Sequence, residues 1–178
     1  MDLTEKMISR KDLYDGLLCR VHVDEVLLPN GNTSRREVVD HVDGVAVLPL
    51  DERNNVLTVT QYRYVFGKTL LEIPAGKLDE GEDPVTGALR ELKEETGAVP
   101  DTLLPLGVIL PAPGCYGEKL HLFLAKNLHM EQQHLDPDEF LSVERIPFAE
   151  MVHRHRRIES QDSAESLKSE NHTFRRPL

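Results

Sequence analysis

The stretch DPVTGALRELKEETG, residues 83–97, carries the signals of a single bounded helix. Asp83 is a favoured N-cap residue, and Pro84 suits the first helical position because the N–H it lacks would have no partner there. Gly97 suits the position just beyond the C-terminal cap, where the backbone commonly turns left-handed. Together these signals predict a helix over residues 84–96.

The predicted helix has two chemically different faces. At about 100° per residue, Val85, Leu89 and Leu92 fall on one side, which we expect to face the core. Three glutamates fall roughly opposite, and they are Glu91, Glu94 and Glu95. Like charges at these spacings repel one another, so the cluster favours a hard divalent cation, which prefers oxygen ligands. From the helix alone, an ordinary solvated face remains an open alternative.

Length and composition describe the class of protein. The chain has 178 residues, which is enough for one compact domain with its own core. Its formal net charge of −10 argues against binding to nucleic acid or to an anionic membrane. No apolar run approaches the roughly 18–20 residues that span a bilayer, and the start of the chain lacks a secretory apolar region. The two cysteines are predicted to be reduced thiols, so we expect a cytoplasmic protein.

Most of the remaining chain is predicted to form strands. Residues 20–24 alternate apolar and polar side chains, and Asn30-Gly31 is a strong hairpin signal before a return strand at 33–40. Further strands are predicted at 45–50, 56–62, 69–73, 120–125 and 140–146, with a short helix at 148–154. The basic cluster at 153–157 is interpreted as a solvated helix end, with a metal or nucleic-acid site as the alternative. Beyond about residue 165 the chain is polar and is expected to be disordered.

A longer pattern surrounds the predicted helix. The chain reads GKLDEGE at 76–82, then seven residues, then RELKEETGA at 90–98. This pattern resembles the Nudix box, the signature of the Nudix hydrolase family, and every signature position matches. The resemblance implies a loop–helix–loop that binds a divalent metal. It also implies hydrolysis of a nucleoside diphosphate linked to another moiety.

The resemblance assigns roles to residues of this chain. The implied metal ligands are Glu91, Glu95, the carbonyl of Ala75, and Glu94 as a ligand or near neighbour. Arg90 is expected to pair with a carboxylate such as Glu82 and so keep the cluster oriented. Mg²⁺ is the expected cofactor, with Mn²⁺ as a substitute.

The flanking sequence is similar to the ADP-ribose pyrophosphatase branch of the family. A proline about sixteen residues beyond the last glycine of the box marks that branch, and Pro113 stands there. The branch implies cleavage of ADP-ribose to AMP and ribose 5-phosphate. Two alternatives remain open: a Nudix hydrolase acting on another nucleoside diphosphate sugar, and a domain that senses ADP-ribose without cutting it.

The remaining candidates concern proton transfer and substrate binding. Glu118 is the predicted general base for an attacking water, with Glu94 or Glu95 as alternatives, and its loop at 113–117 is expected to move over the site. The candidate substrate-binding residues are Arg36, Arg63, Glu72 and Pro113. The two arginines would hold phosphate or the terminal ribose by bidentate hydrogen bonds, although Arg36 has a solvent-facing alternative. Glu72 would accept from ribose hydroxyls or from the adenine amine.

The resemblance also implies an architecture. We expect an α/β/α sandwich with a mixed sheet over residues 41–158. Residues 1–40 are expected to form a small β subdomain that pairs across a two-fold axis and supplies part of the partner's site. A homodimer is therefore expected. Residues 159–178 do not resemble the C-terminal helix of similar enzymes, and we expect a polar, disordered tail.

Overall fold

A small antiparallel sheet begins the fold. The computed structural model describes residues 2–137 and 139–153. The first three strands are β1 (Lys6–Asp15), β2 (Cys19–Leu27) and β3 (Thr33–His41), in the order β1-β2-β3. The predicted hairpin joins β2 to β3, and Leu28 N–H donates to Asn32 O at 2.8 Å. Strand β1 was not predicted; all its residues are exposed, so it lacks the alternation of a half-buried strand.

The second sheet is mixed, as predicted. Its strands are β4 (Gly44–Leu50), β5 (Asn55–Arg63), β6 (Lys68–Glu72), β7 (Ala75–Lys77), β8 (Ala98–Ile109), β9 (Leu120–Met130) and β10 (Leu141–Pro147). They run in the order β10-β5-β4-β9-β8, with β6 beside β5 and β7 beside β4. Strands β4 and β9 are parallel, and the other pairs are antiparallel. Strands β7 and β8 were not predicted, since β7 has three residues and β8 contains Pro100, Pro105 and Gly107.

Helix α1 (Pro84–Thr96) has the predicted bounds. The Asp83 carboxylate accepts hydrogen bonds from Val85 N at 3.0 Å and from Thr86 N at 3.2 Å, which satisfies orphan donors of the first turn. At the other end Gly97 has φ 74°, and its N–H donates to Lys93 O. Both ends are therefore fixed by residues within or next to the helix.

The predicted core face of α1 was wrong in part. Val85 and Leu89 are 49% and 37% exposed, whereas Leu92 is fully buried. The buried stripe contains Gly87, Ala88, Leu92, Glu95 and Thr96. Small residues on this stripe let the helix approach the sheet closely. The face of the helix that points into the core therefore includes the Glu95 carboxylate. The shared core consists of Val45, Val47, Leu57, Ala88, Leu92, Ala98, Phe123 and Ala125.

Residues 148–153 are helical and begin directly after Pro147, as predicted. The predicted continuation to residue 154, the rest of the basic cluster and the tail at 159–178 lie outside the described residues. The division into 1–40, 41–158 and 159–178 stays a prediction. Within the described ranges, every helix is too short or too polar to cross a membrane.

Candidate active site

A cavity of about 560 Å³ lies beside α1 and β7. The lining residues come from strands β4, β5, β7 and β9, from α1, and from the loops that precede α1, β9 and β10. Carboxylates outnumber basic groups in this lining. Its polar members include Gln61, Arg63, Lys77, Asp79, Arg90, Glu91, Glu94, Glu95, Glu118, Asp136 and Glu139. A cation bound here would offset the excess negative charge and so favour the binding of an anionic ligand.

Arg90 organises one side of the cavity. Its Nε donates to Glu82 Oε1 at 2.9 Å, and its Nη2 donates to Glu82 Oε2 at 2.8 Å. Its Nη1 donates to Glu91 Oε1 at 2.8 Å and to Glu94 Oε2 at 3.0 Å. The hydrogen bonds from Arg90 to Glu82 lower the pKa of Glu82 to about 2. The predicted pairing of Arg90 with Glu82 is therefore present.

Glu95 is a buried carboxyl group. Its residue is 3% exposed, and Oε2 accepts a hydrogen bond from Ala75 N at 3.1 Å. Burial raises the pKa of Glu95 to about 8, and the nearby charges of Glu91 and Glu139 act in the same direction. A cation placed beside this group would favour its ionised form, so proton loss and cation binding are coupled.

Glu91 approaches the backbone of β7 closely. A Cβ atom at Gly76 would lie 2.0 Å from Glu91 Cδ, so a side chain there would displace this carboxylate. Burial raises the pKa of Glu91. The glycine of the sequence pattern is thus needed for close approach between the strand and the helix.

The donor set fits a hard divalent cation, since carboxylates and a main-chain carbonyl are oxygen ligands. Among the described residues, however, no three His, Cys, Asp or Glu side chains are placed so that they could hold a metal ion together. The hydrogen bonds explain this: Arg90 holds Glu91 and Glu94, and Ala75 N–H holds Glu95. The predicted ligands share one cavity, but their side chains would have to rotate before they could bind one ion together.

Glu118 lines the same cavity, on the loop that precedes β9. Val39 N–H donates to Cys115 O at 2.7 Å, and Gly117 N–H donates to Val39 O at 2.9 Å. The loop expected to move over the site is thus fastened to β3 on both sides of Tyr116. Cys115 is an exposed free thiol outside the cavity lining.

The predicted substrate-binding residues do not all meet at the cavity. Arg63 lines it and donates to Glu72 at 2.9 and 2.7 Å, so these two candidates bind each other. Arg36 lies on the first sheet, where its Nε donates to Glu5 at 2.9 Å. Neither Arg36 nor Pro113 lines the cavity of its own chain.

Two lining carboxylates were not singled out from the sequence. Asp136 and Glu139 reach the cavity from the segment between β9 and β10. The charge of Glu139 contributes to the raised pKa of both Glu91 and Glu95, which places it electrostatically in the same cluster. The sequence offered only a weak signal, which was three acids beside Pro137 in a polar segment.

Two family models match this chain. Residues 40–167 match the NUDIX domain, and residues 5–39 match the nucleoside diphosphate sugar hydrolase N-terminal domain. The chain therefore belongs to the Nudix hydrolase family, whose members generally need a divalent metal ion.

Three similar proteins illustrate the relationship. An ADP-ribose pyrophosphatase of Bacillus subtilis is 41% identical over 79% of this chain and 77% of its own. A methanol dehydrogenase activator of Bacillus methanolicus is 43% identical over 78% of this chain and 76% of its own. A crystal structure of an ADP compounds hydrolase superposes with a TM-score of 0.77 at 23% identity, covering 88% of this chain and 85% of that one. This structural match confirms the expected fold.

Proposed function

We propose that the protein hydrolyses the pyrophosphate bond of ADP-ribose to give AMP and ribose 5-phosphate, with Mg²⁺ as the working ion and Mn²⁺ as a substitute. The carboxylate-lined cavity beside α1 carries the proposal. It is about 560 Å³ in volume, within the range of roughly 300–1,000 Å³ found for ligand sites. The similarity to an ADP-ribose pyrophosphatase supports the choice of substrate.

The proposed ligands of the metal are Glu91, Glu94, Glu95 and the carbonyl of Ala75. When bound, the metal would polarise the phosphoryl oxygens and lower the pKa of a bound water. Arg90 holds the carboxylates of Glu91 and Glu94 in reach of the cavity, and Glu82 holds Arg90. In this arrangement Arg90 offsets the repulsion between the carboxylates of Glu91 and Glu94 on one face of the helix.

Glu118 is proposed as the general base. Its carboxylate would accept a proton from the water that attacks phosphorus, which is the usual role of a positioned carboxylate in hydrolysis. Glu139 lines the same cavity and is a rival for this role, in addition to Glu94 and Glu95. Separate substitution of Glu118 and of Glu139 distinguishes between these two residues.

We propose that the guanidinium of Arg63 holds a phosphate, with Glu72 orienting it and accepting from ribose or adenine. Arg36 and Pro113 would then contact a substrate held by a second copy of the chain. The position of Arg36 on the first sheet, outside the cavity of its own chain, is what a homodimer in which residues 1–40 reach the partner's site would require. Apolar side chains exposed on β1, including Met7 and Ile8, also support pairing through this sheet.

A second candidate substrate is another nucleoside diphosphate sugar. The match of residues 5–39 to an N-terminal domain of nucleoside diphosphate sugar hydrolases favours it. In either case a cytoplasmic protein without nucleic-acid partners is proposed, supported by a net charge of −10 and two free thiols.

The deciding experiment is incubation with ADP-ribose, GDP-mannose or UDP-glucose and Mg²⁺, followed by separation of the nucleotides. Formation of AMP from ADP-ribose, abolished by EDTA and by Glu95→Gln, is the expected result. Glu131→Gln is a matched control, because Glu131 binds Lys93 on the surface outside the cavity. Cleavage of only another nucleotide sugar would favour the second candidate. Binding of ADP-ribose without cleavage would favour a sensor.

A further inference from the structure

We infer that Asp43 and Gly44, at the junction between β3 and β4, are positioning residues for Glu118. The inference rests on the proposed function, since it concerns the carboxylate that we assign as general base. Neither residue lines the cavity, so both would act through Glu118 rather than on the substrate.

Asp43 and Gly44 hold the main chain directly after Glu118. Asp43 Oδ1 accepts a hydrogen bond from Lys119 N–H at 3.0 Å. Gly44 N–H donates to Lys119 O at 2.9 Å. Both main-chain polar groups of Lys119 are therefore held by the same junction, which fixes the direction in which the chain leaves Glu118.

The same junction also binds the loop that precedes α1. Leu78 N–H donates to the main-chain oxygen of Asp43 at 2.9 Å. The backbone of Asp43 thus holds the loop of the Nudix box, and its side chain holds the segment that carries Glu118. Asp43 is therefore hydrogen-bonded to both segments of the proposed catalytic machinery.

Gly44 provides the space in which the Glu118 carboxylate lies. A Cβ atom at position 44 would be 3.0 Å from Glu118 Oε1 and 3.2 Å from Gly76 O. The first contact is with the end of a flexible side chain and the second with main chain. An added methyl group would therefore displace the carboxylate more readily than the strand.

The acceptor oxygen of Asp43 matters more than its charge. Asp43 Oδ2 lies 3.7 Å from His121 Nε2 and 3.9 Å from Lys119 Nζ, and the side chain is 32% exposed. Ion pairs this long and this exposed contribute little. Asn at position 43 keeps an oxygen for Lys119 N–H, whereas Ala removes it. Asp43→Asn is therefore the conservative variant that should rescue function.

A double-mutant cycle with ADP-ribose and Mg²⁺ tests the inference. Asp43→Ala is expected to lower kcat/KM by up to about 10²-fold, the cost of a misplaced catalytic group, and Asp43→Asn to restore most of it. In a Glu118→Gln background, Asp43→Ala should change kcat/KM by less than about twofold, because the group it positions is already disabled. Equal losses in both backgrounds would show a general structural role and overturn the inference.

Two further variants complete the set. Gly44→Ala should also reduce kcat/KM, because the added methyl group would displace the Glu118 carboxylate. Asp51→Ala is the matched control, because Asp51 Oδ1 accepts from Arg53 N and Asn55 N at 2.8 Å in a turn away from the cavity. It should leave kcat/KM unchanged; a loss as large as that of Asp43→Ala would contradict the inference.

Amide hydrogen exchange gives a readout that does not depend on the substrate. In the folded protein the amide of Lys119 is expected to be protected, and Asp43→Ala should speed its exchange while the Val47 amide, which binds Pro74 O, stays protected. Unchanged exchange at Lys119 would overturn the positioning role. If the parent protein does not cleave ADP-ribose, the proposed function fails. Exchange at the Lys119 amide still tests whether Asp43 holds the main chain next to Glu118.

Discussion

Arg90 and Glu82 meet through two parallel hydrogen bonds, from Nε to Oε1 at 2.9 Å and from Nη2 to Oε2 at 2.8 Å. Glu82 precedes the N-cap of α1, and Arg90 lies on the helix two turns later. The fork of the guanidinium thus reaches back to Glu82 while its remaining nitrogen holds Glu91 and Glu94. One side chain therefore fixes both the entry of the helix and its carboxylate face.

Arg90→Lys should reduce kcat/KM by at least about tenfold, because an ammonium group is not a planar fork and loses the bidentate contact. Steady-state kinetics with ADP-ribose and Mg²⁺ measures the effect. Arg53→Lys in the β4–β5 turn is the matched control and should be silent. Full activity of Arg90→Lys would show that charge alone suffices.

The pKa of Glu82, lowered to about 2 from 4.5, predicts a specific acid sensitivity. A depressed folded-state pKa contributes stability that is fully present above pH 4.5 and is lost as the pH falls towards 2. Glu82→Gln should therefore flatten the decline in unfolding free energy over this window, as measured by urea titration. Glu131→Gln should do so much less, because the exposed pair of Glu131 with Lys93 is screened by solvent. Parallel declines in the parent and Glu82→Gln would refute this assignment.

The pKa of Glu95 is raised to about 8 from 4.5, which predicts a pH dependence of stability opposite to that of Glu82. Without a cation, a group with this pKa is protonated in the folded protein at neutral pH. The unfolded chain loses this proton near pH 4.5, so the free energy of unfolding falls as the pH rises from 4.5 towards 8. Binding of Mg²⁺ at neutral pH should therefore release about one proton. Calorimetric titration in two buffers of different ionisation enthalpy counts this proton, and Glu95→Gln should abolish its release. Metal binding with no proton release would contradict the prediction.

Glu118→Gln should lower kcat by about 10²–10⁴-fold, the range for loss of a general base. Glu139→Gln should lower kcat less. The reverse ranking would transfer the role of base to Glu139. Both glutamines preserve side-chain size, so thermal unfolding of the two variants serves as the control for folding.

The parts of the fold that were predicted are those with local causes. The bounds of α1 followed from Asp83, Pro84 and Gly97, since caps act within a few residues of the helix end. Which face of α1 points inward depends on how closely the sheet approaches the helix. The apolar character of Val85 and Leu89 carries no information about that approach. An amphipathic pattern therefore located the helix correctly but rotated it wrongly.

The candidate site shows the same division. The carboxylates of α1 and Arg90 were predicted because their spacing lies within one element. Glu139 reaches the cavity from a segment more than forty residues later in the chain, so its place depends on the path of β9 and β10. The contacts of Arg36 with Glu5 and of Arg63 with Glu72 likewise depend on strand pairing that periodicity does not specify.

The attachment of the Glu118 loop to β3 at Val39 has an evolutionary consequence. Both hydrogen bonds join main-chain atoms, so most substitutions at Val39, Cys115 and Gly117 leave the donors and acceptors in place. Sequences of relatives can drift at these positions while the loop keeps its anchorage. Transplanting the first sheet from one relative to another should preserve this anchorage of the loop when the backbone register at position 39 is kept.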